Sequence, residues 1–149
     1  MSTMTRLLVN FVLLAVWSWA LYEAYQILVL QRTMPNTVLS LKIAYDHVKP
    51  AGTLQIETDL VRHRGCRVSV AQFIVDAQSV RFDLPPVVAP ANMPPGVDVY
   101  KRSVEIPESI APGPATLTLG TSFKCHWSHV LWPLLRPVRD VHFTVDPQQ

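Results

Sequence analysis

The residues with most chemical potential in this chain cluster near its C-terminal end. His126 and His129 stand three apart beside Cys125, and His47, His63 and Met93 lie elsewhere. Imidazole and thioether ligands suit copper, so a copper-handling module is one reading of this set. A His-x-x-His pair converges only on a helical turn, and this segment contains Trp127 and leads to Pro133. If Cys125 is oxidised it is no ligand. No metal or cofactor set is assigned on this pattern; His126 and His129 stay as the alternative.

Catalysis has less support. There is no Gly-x-Ser-x-Gly elbow for an activated serine, and Ser69 and Ser79 sit inside strand-like alternation. Glu57 and Asp59 share a strand face, but alternating polar residues mark a solvated side. Arg62-His63-Arg64-Gly65 reads as a turn whose positive charge could meet headgroups or an acidic partner. The chain is therefore expected not to be an enzyme, with an envelope enzyme of unknown reaction as a further alternative.

Trp127, Leu131, Trp132, Leu134 and Leu135 make a different case. Exposed apolar clusters mark partner or membrane contact, and tryptophan is enriched at binding hot spots. Folding back to cap one end of the domain is the competing fate of this segment.

These residues need a scaffold, and the sequence divides into three parts: a short tail, 1–6; an apolar run, 7–30; and a domain-sized remainder, 31–149. A bilayer core of roughly 30 Å needs about 20 mostly apolar residues, so the run is long enough to span. Glu23 would be costly at the bilayer centre. A frame from Leu7 to about Tyr25 moves it toward the outer headgroups, where Trp17, Trp19, Tyr22 and Tyr25 form an aromatic belt. Cleavage after Ala20, at Ser18-Trp19-Ala20, is the rival reading; the apolar residues that follow favour a retained signal anchor. Arg6 flanks one end and Arg32, Lys42 and Lys49 follow the other, so charge does not favour a cytoplasmic N-terminus. Long domains translocate largely regardless of charge. The short tail suits a cytoplasmic N-terminus with the C-terminal domain periplasmic or extracellular.

In an exported domain, Cys66 and Cys125 are expected to pair. The loop they close is long, which implies about 4 kcal/mol of stabilisation. A net charge of +2, with no Lys/Arg cluster interleaved with aromatics, argues against nucleic acid.

Thirteen prolines against five glycines argue against a helical domain. Runs of period two cover 38–45, 54–60, 67–75, 79–84, 97–106, 115–125 and 141–145. Leu39, Leu41, Ile43 and Tyr45 share one face of the first. Short alternating strands with turn punctuation predict a mainly β domain, an immunoglobulin-like antiparallel β-sandwich. At 106–117, a strand ending at Pro107 and another launched by Pro112-Gly113 predict a crossing between sheets. The proline-rich stretch 85–96 is expected to be an extended loop, and 125–139 an apolar insertion before the last strand.

The motifs Pro112-Gly113, Phe123-Lys124-Cys125, Leu131-Trp132-Pro133 and Val141-His142-Phe143-Thr144-Val145 resemble those of small single-span membrane proteins of tailed bacteriophages. The resemblance covers about 104–145. It implies a phage-encoded protein in the host envelope and brings no catalytic residues. The resulting expectation is a membrane-anchored, non-enzymatic binding or structural protein. It would meet lipid through residues 7–30 and an envelope protein through its outer domain.

Overall fold

The computed structural model describes residues 3–29 and 32–147. Leu30 and Gln31, where the anchor was expected to hand over to the domain, lie outside the described residues, as do Met1 and Ser2. The chain forms two compact units, divided after Thr33.

The first unit is helix α1, Thr3–Leu28. It takes in most of the segment expected as a separate tail. No glycine or proline interrupts it, and its 26 residues rise about 39 Å. None of its side chains is buried. It is long and apolar enough to cross a membrane. Inside lipid every polar group must find a partner within the segment; the Ser18 Oγ does so by donating to the Leu14 carbonyl at 2.8 Å.

The second unit is a two-sheet β domain. Its strands are β1 (Asn36–Ile43), β2 (His47–Val48), β3 (Thr53–Arg62), β4 (Arg67–Val75), β5 (Arg81–Ala89), β6 (Gly96–Glu105), β7 (Gly113–Lys124) and β8 (Leu134–Val145). One sheet has the order β1-β3-β6, the other β2-β8-β7-β4-β5. All pairings are antiparallel except the two-residue β2, which runs parallel to β8. The predicted fold class is the observed one.

The core lies between the sheets. Leu54 and Ile56 of β3, Val104 of β6, Ile74 of β4, Leu117 of β7 and Phe143 of β8 are all buried. Inward residues alternate with outward ones, as a two-layer β domain requires. The 106–117 crossing also forms as predicted: β6 belongs to one sheet and β7 to the other. Ile106 and Ile110 are buried beneath it. Asp76, in the β4–β5 turn, pins that crossing. Its carboxylate accepts from the N–H groups of Gln78 and Val80 at 2.9 Å and of Ala111 at 3.1 Å. Burial raises the Asp76 pKa, but these three hydrogen bonds outweigh it and hold the carboxyl below its ordinary value. Gly113 starts β7 at φ 121°, in the left-handed region, and a Cβ there would approach the Ala77 Cβ to 3.0 Å.

Four expectations are corrected. First, 85–96 is not all loop: β5 runs through Pro85 and Pro86 to Ala89. Proline is tolerated there because β5 is an edge strand and the opposing register shifts between Val70 and Gln72. Second, the last strand starts at Leu134, so only 125–133 forms the connection. Its ladder with β7 passes a bulge between Leu119 and Thr121, opposite Pro137, and that bulge hides the alternation. Third, a bulge between Val38 and Ser40 in β1 turns Leu39 outward. Leu39 and Tyr45 are exposed, and only Leu41 and Ile43 pack on the core. Fourth, Ser79 lies before β5, in a turn with φ 64°.

Candidate functional site

The predicted disulfide is present, linking Cys66 to Cys125. It does not cross between sheets. β4 and β7 are neighbours with Arg67 opposite Lys124, and the two cysteines form the next rung, with Cα atoms 4.4 Å apart. Beside it Phe123 is fully buried and faces Leu134 across the ladder. Disulfide, Phe123 and Leu134 therefore close one end of the domain with a small apolar cluster separate from the main core.

The chain leaving Cys125 makes one turn of 3-10 helix, Trp127–Val130. His126 caps it: its Nδ1 lies 3.0 Å from Ser128 Oγ and accepts from the Ser128 N–H. His129 is buried, and its Nδ1 accepts from the Cys125 N–H at 3.1 Å. The two imidazoles are edge-to-face, 6.4 Å between centroids. Each spends its Nδ1 on the local backbone, and Cys125 is oxidised. Among the described residues no three His, Cys, Asp or Glu side chains group to hold a metal.

The apolar residues of this segment divide. Leu134 is only 5% exposed, so it is core and not contact surface, because β8 has already begun and turns it inward opposite Phe123. Trp127, Leu131, Trp132 and Leu135 are exposed, Leu131 at 85%, and Val130 and Val138 join them. The segment folds back only in part: Ser128 and His129 are buried, and the apolar residues around them stay exposed. It presents a projecting apolar surface beside a cross-linked base.

The sequence reading missed a second feature, between the two apolar clusters. There the sheets enclose a cavity of about 140 Å³. Apolar residues of both sheets line it, including Leu41, Leu60, Val70 and Leu119. Four arginines join them, Arg62, Arg102, Arg136 and Arg139, and the lining contains no carboxylate. Tyr100, Pro137 and Arg139 at its margin are exposed, so it opens to water.

Register explains how the arginines come inward. Along β6 the inward row runs Asp98, Tyr100, Arg102, Val104, and only Val104 is buried core. Val97 and Val99 consequently face out. On β8 the bulge at Pro137 lets both Arg139 and Arg136 reach the cavity. Gly65 permits the 91–93 segment to come close, since a Cβ there would sit 2.6 Å from the Ala91 carbonyl oxygen. That approach carries Met93 to the cavity wall.

The four guanidinium groups are not equally satisfied. Arg62 pairs with Asp98 at 2.9 Å and donates to the Pro94 carbonyl at 3.3 Å. Arg136 donates to the backbone and side-chain oxygens of Asn36 and lies over the Phe123 ring at 5.4 Å. Burial, then the charge of Arg139, pulls Arg136 below the ordinary arginine pKa. Burial does the same to Arg102, with Tyr100 opposing. Among the described residues neither Arg102 nor Arg139 has an ion pair or hydrogen-bond partner. The signal for this site was the stretch Val97-Asp98-Val99-Tyr100-Lys101-Arg102, whose alternation reads equally well with either face inward.

The remaining candidates are surface features. Glu57 pairs with Lys101 at 3.1 Å, and Asp59 accepts from Ser40 Oγ, both on the outward face of the small sheet. His63 lies 2.9 Å from Thr37 Oγ1. His47 meets Asp146 at 2.9 Å, and that hydrogen bond and charge raise the imidazole pKa.

No family model and no curated protein matches this chain. Three solved structures have partial likeness to it. The alkylpurine DNA glycosylase AlkC of Pseudomonas fluorescens, bound to DNA containing an abasic-site analogue, is 11% identical with a TM-score of 0.45, over 76% of this chain and 31% of that one. The CARDB domain of the PF1109 protein of Pyrococcus furiosus is 12% identical with a TM-score of 0.39, over 74% and 86%. Spo0M, a sporulation control protein of Bacillus subtilis, is 7% identical with a TM-score of 0.36, over 78% and 51%. The chain thus spans about a third of the glycosylase and half of Spo0M.

Proposed function

We propose that this chain is a membrane-anchored, non-enzymatic binding protein, phage-encoded and acting in the host envelope. Residues 7–30 hold it in lipid, with the N-terminus cytoplasmic and the β domain in the periplasm. The observation that carries the binding role is the exposed surface of Trp127, Leu131, Trp132 and Leu135 on a disulfide-braced base. Aromatic residues held on a rigid support bind at low entropic cost, and tryptophan dominates many interfaces. The Cys66–Cys125 bond supports the topology, since disulfides persist in oxidising compartments and are rare in the cytoplasm. The phage setting rests on the sequence resemblance of the C-terminal half. The proposed partner is an envelope protein.

Photo-crosslinking in intact cells tests this reading, with the crosslinker at Leu131 and, as a control, at Tyr45. A single protein adduct from Leu131, absent from Tyr45 and lost in Trp132→Ser, is the expected result. The substitution should change stability by less than about 0.5 kcal/mol, as exposed positions do. Equal adducts from both positions, or a Trp132→Ser variant that melts early with capture unchanged, would overturn it.

A further inference from the structure

The cavity between the sheets carries a ligand chemistry of its own. A guanidinium withdrawn from water is costly unless something replaces its hydration. Arg102 is half-buried and faces the cavity with the Tyr100 phenol near it, and it makes no ion pair or side-chain hydrogen bond among the described residues. Arg139 is equally without a partner, and Arg136 holds a second positive charge nearby. Of the four arginines, only Arg62 is neutralised by an ion pair. Aliphatic residues of both sheets make up much of the remaining lining, beside Asn36, Thr58 and Thr121. This pairs an apolar slot with fork-shaped donors that no carboxylate occupies, those of Arg139 open to water, and arginine forks match carboxylate and phosphate oxygens two at a time.

The size sets the scale of the occupant. A void of about 150 Å³ lined by aliphatic residues accepts benzene, and this one is about 140 Å³ and open at its margin. We propose that the cavity binds a small amphipathic anion, with its acid group on Arg102, Arg136 and Arg139 and its aryl or short acyl body against Leu60, Val70 and Leu119. The chemistry is shared by a free carboxylate or phosphate monoester and by the acidic end of a membrane lipid. The proposal deepens the binding role given above and rests on it, but involves a different surface from the tryptophan loop.

The test uses the full chain in phosphatidylcholine nanodiscs, with the arginine Nε–H signals followed by NMR. Benzoate is the probe and benzamide its neutral isostere. Saturable shifts with benzoate, and at least tenfold weaker binding of benzamide, are expected. Arg102→Met should weaken benzoate tenfold or more. Arg139→Gln, at an exposed position where folding is not at stake, should weaken it severalfold. Equal affinity for benzoate and benzamide, or no saturable shift, would overturn the proposal. So would inorganic phosphate binding as tightly as benzoate, because the apolar wall would then contribute nothing. Nanodiscs containing phosphatidylglycerol separate the sources: blocked benzoate binding identifies a bilayer lipid as occupant, and unchanged binding identifies a free anion. Loss of benzoate binding with the Leu131 crosslink intact would sink this inference and leave the proposed function standing.

Discussion

The two halves of the β domain use the same strands in opposite ways. Toward one end, the inward rows are Leu54 and Ile56 on β3, Val104 on β6, and Val141, Phe143 and Val145 on β8, all buried. Farther along the same strands the inward positions become Thr58 and Arg62, then Tyr100 and Arg102, then Arg139 and Arg136, around a cavity. The first half is packed as stability demands. The second carries charge where a sandwich normally carries aliphatic side chains, and the Phe123–Leu134 cluster and the disulfide brace it from beyond. Departures from core patterning within an otherwise consistent fold are where function is expected.

That contrast predicts unequal responses to substitution. The largest belongs to the closed half: Leu117→Ala should cost about 2–5 kcal/mol, as fully buried leucines do, read by urea denaturation. Val70→Ala, on the cavity wall, should cost markedly less, because that site is already partly empty. Similar losses at both positions would erase the distinction. Next comes the brace. Replacing Cys66 and Cys125 together by serine should lower stability by about 2–4 kcal/mol through the 59-residue separation they close, measured by thermal unfolding without reductant. In the open half the sign should change. Arg102→Met removes a half-buried charge without a partner, so thermal stability should hold or rise. A destabilised Arg102→Met domain would mean that the guanidinium is a structural element.

The smallest effects are in pH dependence, and they bracket the domain from two sides. The Asp76 pKa lies below its ordinary 3.8 in the folded state. Its contribution is present above that value and is lost as acid takes the pH down through the depressed pKa. The His47 pKa lies above 6.5. Its contribution is complete below that value and fades as pH rises through the raised pKa. Stability should therefore be flattest between these limits. Asp146→Asn should remove the alkaline slope alone, and Asp76→Asn the acid one.

Much of the closed half was legible in the sequence. The alternation in β3, β4 and β7 is regular, and proline and glycine mark the crossing at 106–113. The cysteines in a single outer domain imply their own pairing. The open half was not legible, for physical reasons. β5 contains prolines that only an edge strand beside a bulge can accept. β8 loses its period where the bulge at Pro137 inserts residues. In β6, valines alternate with Asp98, Tyr100 and Arg102, and hydrophobicity alone does not select a face. Only the register with β3, Thr58 opposite Tyr100 and Ile56 opposite Arg102, decides it. The arginines of β6 and β8 are far apart in sequence, and no local motif joins them. Trp127 and Trp132 were visible as an apolar cluster, but the burial of Leu134 depended on where β8 begins.

An anchored binding domain outside the cytoplasm is the central claim, and the redox state of its cysteines in living cells tests it most directly. Intact cells expressing the full chain would be treated with a membrane-permeant alkylating agent, then analysed on a non-reducing gel. Cys66 and Cys125 are expected to resist alkylation until reductant is added, with the chain in the membrane fraction. Both thiols alkylated without reductant would contradict it, since the domain would then lie in a reducing compartment and the proposed envelope contact would have no access to it.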